Sequence, residues 1–171
     1  MAALSEKAEF SKRNTKVLAI SCNDTESHQG WIQDINASQS CTVEFPIIAD
    51  PTREIAVKWG MLDETDKDAA GLPMTVRSVF IISPDKSLKL MLAYPASTGR
   101  NFAEIIRVLD SLQLTASHKV ATPVNWEQGG DCMVLPTVKP EDTAALFPKG
   151  VDVLNVPSGK PYLRQTPQPN V

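Results

Sequence analysis

Three cysteines, Cys22, Cys41 and Cys132, are the first candidates for chemistry. A thiol reacts as its thiolate, which a neighbouring cation favours. The residues beside Cys22 in sequence include no cation. We therefore favour a small buried hydrophobic side chain there over a reactive thiol at the edge of a sheet. Cys41 lies in a polar stretch and is predicted to be exposed, and Cys132 is predicted to be structural.

Two arginines are the next candidates. Arg77 interrupts an apolar segment, where a guanidinium either forms a surface ion pair or binds an anion or a thiolate. From the residue type alone, both interpretations stay open. Arg100 precedes a predicted helix, where a cation opposes the helix dipole, so its position favours a binding role.

The other patterns argue against several classes of function. The cysteines are odd in number and widely spaced, which does not predict a disulfide framework. His28, predicted to face solvent, and His118 lack the spacing of zinc ligands or of a nucleophile–histidine pair. Nucleotide-binding glycine motifs are absent, so we expect neither a metal nor a cofactor.

Charge and hydropathy suggest where the protein works. The net charge is −3, from 17 basic and 20 acidic residues, which argues against nucleic-acid binding. No apolar run is long enough for a transmembrane helix, and the first residues lack the apolar core of a secretory signal. We expect a cytoplasmic protein.

The elements that must position these residues follow an α/β pattern. The apolar face of the helix after Asp24 is assigned to Trp31, Ile32 and Ile35, and Trp59 is also assigned to the core. Segment 63–75 is predicted to be a surface loop. The predicted helices cover 2–14, the segment after Asp24, 52–59 and 101–114, and the predicted strands cover 16–22, 45–49, 76–82 and 88–94, the last two as a hairpin.

The composition changes near Ser117, and the chain becomes rich in proline after residue 123. We therefore predict a main domain over 1–116 and a small C-terminal domain over 117–171.

Several long segments resemble one known family. GLPMTVRSVFIISPDK (71–86) and YPASTGRNFAEIIRVLDSLQLT (94–115) resemble the peroxiredoxins. Four further segments resemble the C-terminal extension of the one-cysteine (1-Cys) peroxiredoxins of the AhpC/TSA family. These segments are VATPVNWEQGGD (120–131), MVLPT (133–137), LFPKGV (146–151) and PSGKPYLR (157–164).

This resemblance implies a thioredoxin-like fold with an added C-terminal domain. It also implies an antioxidant thiol peroxidase of cell redox homeostasis that reduces hydrogen peroxide and organic or lipid hydroperoxides. In that family a thiolate becomes a sulfenic acid, which an external thiol reduces. By resemblance, Arg77 matches the arginine that holds the thiolate and the peroxide, and Arg100 matches a second arginine nearby. Asp85 matches the acid of a Ser, His and Asp set that gives some relatives phospholipase-type activity.

The sequence departs from the family at the nucleophile. The family's cysteine lies in a P-x-x-x-T-x-x-C motif, which does not occur among the 171 residues, and none of the three cysteines matches it. We therefore expect an incomplete, N-terminally truncated sequence without peroxidase activity as given. The family's missing strand is central to its sheet, so we also expect open strand edges and low stability.

The resemblance further implies a homodimer formed through strand 88–93, with the C-terminal extension embracing the partner. The strand residues concerned are Leu88, Lys89, Leu90, Met91, Leu92 and Ala93. An alternative is a non-catalytic subunit that pairs with a complete subunit and modulates it. A third hypothesis is a lipid-acting enzyme, which the matched residues support least.

Overall fold

A computed structural model describes residues 7–170, apart from the side chains of Lys7 and Glu64. The chain divides into two compact units, of which the first ends at Phe102 and the second begins at Ala103. The units divide earlier than the predicted boundary between 116 and 117. Most of helix 102–117 belongs to the second unit, because its Leu114 joins that unit's buried core.

Among its described residues, the first unit carries two short helices, one helix of 15 residues and six strands. In chain order they are α1 (Lys7–Lys12), β1 (Ala19–Ser21), α2 (Thr25–Gln39), β2 (Ile47–Ala49), α3 (Glu54–Lys58), β3 (Leu62–Lys67), β4 (Pro73–Thr75), β5 (Arg77–Ile82) and β6 (Leu88–Tyr94). The predicted helix over 2–14 is observed as α1, and its first residues lie outside the described range.

Each strand of the first unit pairs with one other described strand. β1 and β2 are parallel, with Ser21 opposite Ala49, and β5 and β6 form the predicted antiparallel hairpin. Within residues 7–170, β1 has no ladder partner except β2, and β5 has none except β6. One edge of each strand therefore lacks a described partner.

The segment predicted as a loop over 63–75 contains two strands instead. β3 and β4 pair antiparallel, with Asp63 opposite Met74 and an irregular register between Asp63 and Lys67. The loop prediction is wrong because it relied on charge and on Gly and Pro. Backbone hydrogen bonds form this hairpin without the apolar alternation that predicts a half-buried strand.

The second unit begins in α4 (Phe102–Ser117) and is built around a small antiparallel sheet. Its other elements are β7 (Val120–Ala121), β8 (Cys132–Val134), a 3₁₀ turn (Pro140–Asp142), α5 (Thr143–Leu146), β9 (Asp152–Val153) and β10 (Arg164–Thr166). The strand order is β7-β8-β10-β9. The buried core contains Leu114, Val120, Trp126, Cys132, Val134, Val138 and Phe147.

Three burial predictions on the first unit are wrong. His28, expected to face solvent, is 5 % exposed, and Trp31, expected to be buried, is 43 % exposed. His28 and Ile35 lie about two turns apart on the same face of α2, and that face is the buried one. Trp59 is 39 % exposed, and its ring contacts Phe80 edge-on at 4.9 Å between centroids.

Candidate functional site: a pair of arginines

Arg77 is placed by the first residue of β5. In the hairpin it lies opposite Tyr94, the last residue of β6. Its side chain is half-buried, and Nη1 donates a hydrogen bond to the carbonyl oxygen of Thr75 at 3.1 Å. This one bond uses a single donor of a guanidinium that carries five. Most of its hydrogen-bonding capacity therefore remains available.

Arg100 lies between β6 and α4, close to Arg77. It keeps an exposed surface, but protein atoms around its guanidinium remove part of the hydration. This desolvation lowers the pKa of Arg100, and the positive charge of Arg77 lowers it further. An arginine remains charged despite such a shift. The structure thus brings together two cations that repel each other.

No carboxylate in the described part of the chain neutralises the positive charge of this arginine pair. Arg77 and Arg100 form no ion pair within residues 7–170. By contrast, Nη2 of Arg53 lies 3.1 Å from Oδ2 of Asp68. Two adjacent guanidiniums without a counter-ion favour the binding of an anion, and they also stabilise negative charge that develops on a reacting oxygen.

In the structure Cys22 lies next to a cation, Arg53, although the sequence around Cys22 contains none. Arg53 acts on its thiol electrostatically and through a hydrogen bond, and both effects lower the pKa. Burial is the largest influence and raises the pKa of Cys22, and the carboxylate of Asp50 raises it further. The net shift is upward, so the thiol form is favoured. The local sequence gives no sign of Arg53, since the contact is made only by the fold.

The other two cysteines differ from Cys22 in their burial and contacts. Cys132 is fully buried, as predicted for a structural residue, and burial raises the pKa of its thiol. Cys41 is half-buried rather than exposed, with Sγ 4.0 Å from the carbonyl oxygen of Ile35. All three are free thiols without a disulfide.

Asp85 is engaged in the turn between β5 and β6. Its carboxylate accepts hydrogen bonds from the Ser83 hydroxyl and from the Ser87 backbone at 2.9 Å, and it lies 3.7 Å from Nζ of Lys89. The Ser83 bond is the largest cause of the strongly lowered pKa of Asp85. These contacts indicate that the Asp85 carboxylate stabilises the turn.

Metal binding and membrane crossing are two further possibilities for the described residues. In residues 7–170, no three His, Cys, Asp or Glu side chains converge in a geometry that could hold a metal ion. None of the described helices combines the length and apolar character needed to cross a membrane.

Two family models match the chain. Residues 1–91 match the AhpC/TSA family, and residues 111–150 match the C-terminal domain of 1-Cys peroxiredoxin. Curated relatives include peroxiredoxin-6 of Rattus norvegicus, with 55 % identity over 165 residues, and of Gallus gallus, with 56 % identity over 165 residues. Each alignment covers 94 % of this chain and 74 % of the relative, so the chain spans about three quarters of their length.

Solved structures agree with these sequence matches. A cysteine-to-serine mutant of peroxiredoxin 6 from Arenicola marina superimposes with a TM-score of 0.91 at 48 % identity, covering 100 % of this chain and 82 % of that one. A yeast mitochondrial 1-Cys peroxiredoxin, solved to explain thiol resolving via glutathione/thioredoxin systems, gives a TM-score of 0.85 at 40 % identity, covering 97 % and 77 %. The chain therefore belongs to the AhpC/TSA family of thioredoxin-like peroxiredoxins and carries the C-terminal domain of the 1-Cys members.

Proposed function

We propose that this chain provides the arginine site of a thiol-dependent peroxidase that reduces hydrogen peroxide and organic or lipid hydroperoxides. The observation that carries the proposal is the pair Arg77 and Arg100, which lies in the first unit without a described counter-ion. Membership of the peroxiredoxin family supplies the reaction class. The cytoplasmic location expected from the sequence stays a prediction.

The arginine pair suits both charged stages of this reaction. A cysteine thiolate attacks the terminal oxygen of the peroxide, an S–O bond forms and the O–O bond breaks. Sulfur is oxidised to sulfenic acid, and the departing alkoxide or hydroxide takes up a proton. Arg77 and Arg100 would hold the thiolate anion and stabilise the negative charge on the departing oxygen.

An external thiol would complete the cycle. It attacks the sulfenic acid, releases water and forms a mixed disulfide, which a second thiol reduces. The yeast relative, whose thiol is resolved through glutathione/thioredoxin systems, supports a reductant of this class.

The peroxidatic cysteine is not assigned to any of the three cysteines of this chain. The P-x-x-x-T-x-x-C motif does not occur in the 171 residues, and the pKa values of Cys22 and Cys132 are both raised. We propose that the arginine pair acts on a thiolate supplied by a segment carrying that motif. The 171-residue chain alone should therefore be inactive.

Intact mass and N-terminal sequencing of the endogenous protein test this proposal first, and peroxide-consumption kinetics follow. A longer chain carrying the motif should lose about 100- to 1000-fold in kcat/KM on Arg77→Gln or Arg100→Gln, the usual cost of removing one charge-stabilising donor. Arg107→Gln, in an arginine that pairs with Glu104 instead, is the matched control. Rapid peroxide reduction by the 171-residue chain that disappears in Cys22→Ser would contradict the assignment.

A second candidate function is a non-catalytic subunit that modulates a complete one. The supporting observation is β6, which pairs only with β5 among the described strands and leaves Leu88 and Met91 half-exposed. An open strand edge with exposed apolar side chains suits pairing with the same strand of another subunit.

Native mass spectrometry of the chain mixed with a complete peroxiredoxin-6 tests the second function. We expect a heterodimer whose formation Met91→Asp prevents, whereas Val57→Asp in α3, an exposed apolar position outside β6, has no effect. Aggregation of the chain without any mixed species would instead favour a fragment without a modulating role.

A further inference from the structure

A polar cleft of about 450 Å³ lies where β1 ends and α2 begins. It shares no residue with the arginine pair. Its size falls within the range of small-molecule sites. The side chains that define its chemistry are Ser21, Asn23, Ser27, His28, Trp31 and Asp34.

His28 is the buried group of this cleft. The residue is 5 % exposed, and neither Nδ1 nor Nε2 has a hydrogen-bond partner within residues 7–170. Buried polar atoms in proteins are nearly always paired, and imidazole nitrogens can donate and accept. His28 therefore offers hydrogen-bonding capacity that no described side chain or backbone group uses.

Trp31 and Asp34 give the cleft its charge preference. They lie one turn apart on α2, both are exposed, and Asp34 forms no ion pair with the described residues. Neither Lys nor Arg lines the cleft. An indole face together with a carboxylate attracts a cation, and a guanidinium can also stack on the ring.

An anion is disfavoured at the same place. α2 begins at this cleft, and the exposed N–H groups of a helix start would otherwise favour negative charge. Here the carboxylate of Asp24 already accepts the N–H of Ser27 at 2.8 Å. The capping carboxylate adds negative charge beside that of Asp34, so the first turn of α2 does not present an anion site.

We propose that this cleft binds an organic cation with a guanidinium or primary ammonium group. The cation lies against the indole of Trp31 and the carboxylate of Asp34, and its N–H groups or their hydration water hydrogen-bond to His28. The cation is either a small amine or a basic side chain of a protein, since both present the same group.

Nuclear magnetic resonance titration of the full 171-residue chain with arginine methyl ester tests the proposal. We expect a saturable shift of the Trp31 indole N–H, assigned with Trp31→Phe, and no shift of the Trp126 indole. Asp34→Asn should weaken binding about fivefold, as expected for an exposed ion pair, whereas the charge-matched control Asp152→Asn should leave it unchanged. No saturable shift below about 10 mM, or equal binding of inorganic phosphate, overturns the proposal.

Two further experiments test the role of His28 and the source of the cation. His28→Gln keeps a donor and an acceptor and should bind, whereas His28→Leu should not. The indole signal of Trp59, whose ring contacts Phe80 in the same unit, reports that the first unit stays folded in both variants. Equal binding by both His28 variants overturns the role of His28. Tighter binding of a Gly-Arg-Gly amide than of arginine methyl ester assigns the cation to a protein side chain, and equal binding assigns it to a small amine.

Discussion

Replacing Asp50 tests how the connection between β2 and α3 is stabilised in the first unit. Its side chain is 4 % exposed and lies after β2, at the turn into α3. Oδ1 accepts the N–H of Ile55 at 3.2 Å, and Oδ2 accepts that of Ala56 at 2.8 Å. The formal N-cap residue, Arg53, makes no side-chain capping bond. Asp50 therefore caps α3 from three residues further back.

The cost of removing this carboxylate follows from the two amides. Ala56 is fully buried, so its N–H would be left without water or partner, at about 1–3 kcal/mol. Ile55 is partly exposed, and losing its cap costs about 0.5–1 kcal/mol. Relief of the buried charge offsets part of the total. We expect Asp50→Ala to lower the free energy of unfolding of the first unit by about 2 kcal/mol, and Asp50→Asn by about half as much.

Hydrogen exchange measured residue by residue is the suitable assay, because two compact units need not unfold as one transition. A loss of about 2 kcal/mol accelerates exchange of the Ala56 amide about thirtyfold. The control is Asp24→Ala, which removes the exposed cap of α2 and one bond to Ser27, at about 1 kcal/mol.

Two results would contradict this role of Asp50: equal effects of Asp50→Ala and Asp24→Ala, or an Ala56 amide that keeps its protection in Asp50→Ala. Either result would mean that water reaches the α3 amides and that burial does not decide the value of this cap.

Three further predictions address charge and the core. Alkylation of Cys22 by iodoacetamide should rise with pH only above the ordinary thiol range, and Arg53→Gln should slow it at a fixed pH because Arg53 lowers the pKa of that thiol. Because the folded-state pKa of Asp85 is lowered, its stabilisation of the turn should be present above the unfolded carboxyl pKa and lost as the pH falls through the folded value. Asp85→Asn should flatten this acid dependence in denaturation curves. Trp126→Phe removes the Nε1 bond to Gly130 at 3.0 Å and should destabilise the second unit by about 1–3 kcal/mol in urea denaturation.

The elements with strong periodicity could be predicted from sequence. An apolar segment and an alternating one, joined by a Ser-Pro-Asp-Lys turn, predicted the hairpin of β5 and β6. Regular apolar spacing predicted α4, observed as Phe102–Ser117. The pairing of β3 with β4 could not be predicted, because Leu62–Lys67 is mostly charged and its ladder depends on backbone hydrogen bonds. Apolar periodicity indicates a strand only where alternate side chains are buried. It gives no signal for a strand that buries few of its side chains.

The buried face of α2 was misassigned for a related reason. Trp31 was predicted to be buried because it is apolar, and His28 to be exposed because it is polar. Both predictions depend on one rotation of the helix about its axis, since only one face can point to the core. The observed rotation buries Ile35 and His28 together, and Trp31 lies to the side. A mixed helix with few apolar residues gives a weak preference for any rotation, so tertiary contacts decide it.

The environment of Cys22 shows how much of a site's electrostatics comes from strand pairing. β1 and β2 are parallel with Ser21 opposite Ala49, so the next residues, Cys22 and Asp50, leave the same edge of the sheet side by side. A sequence search limited to neighbours of Cys22 cannot find this pair or the nearby Arg53, whereas a correct prediction of the parallel pairing would have found Asp50.

Neighbouring carboxylates distinguish the arginines of this unit from one another. Arg53 is near a thiol, yet its guanidinium is held by Asp68 at 3.1 Å, and Asp50 opposes its effect on Cys22. Arg77 and Arg100 have each other as charged neighbours and no described carboxylate. A guanidinium activates a thiol or binds an anion when its charge is not already neutralised. The distribution of carboxylates, more than that of arginines, therefore decides which cations of this chain are available for chemistry.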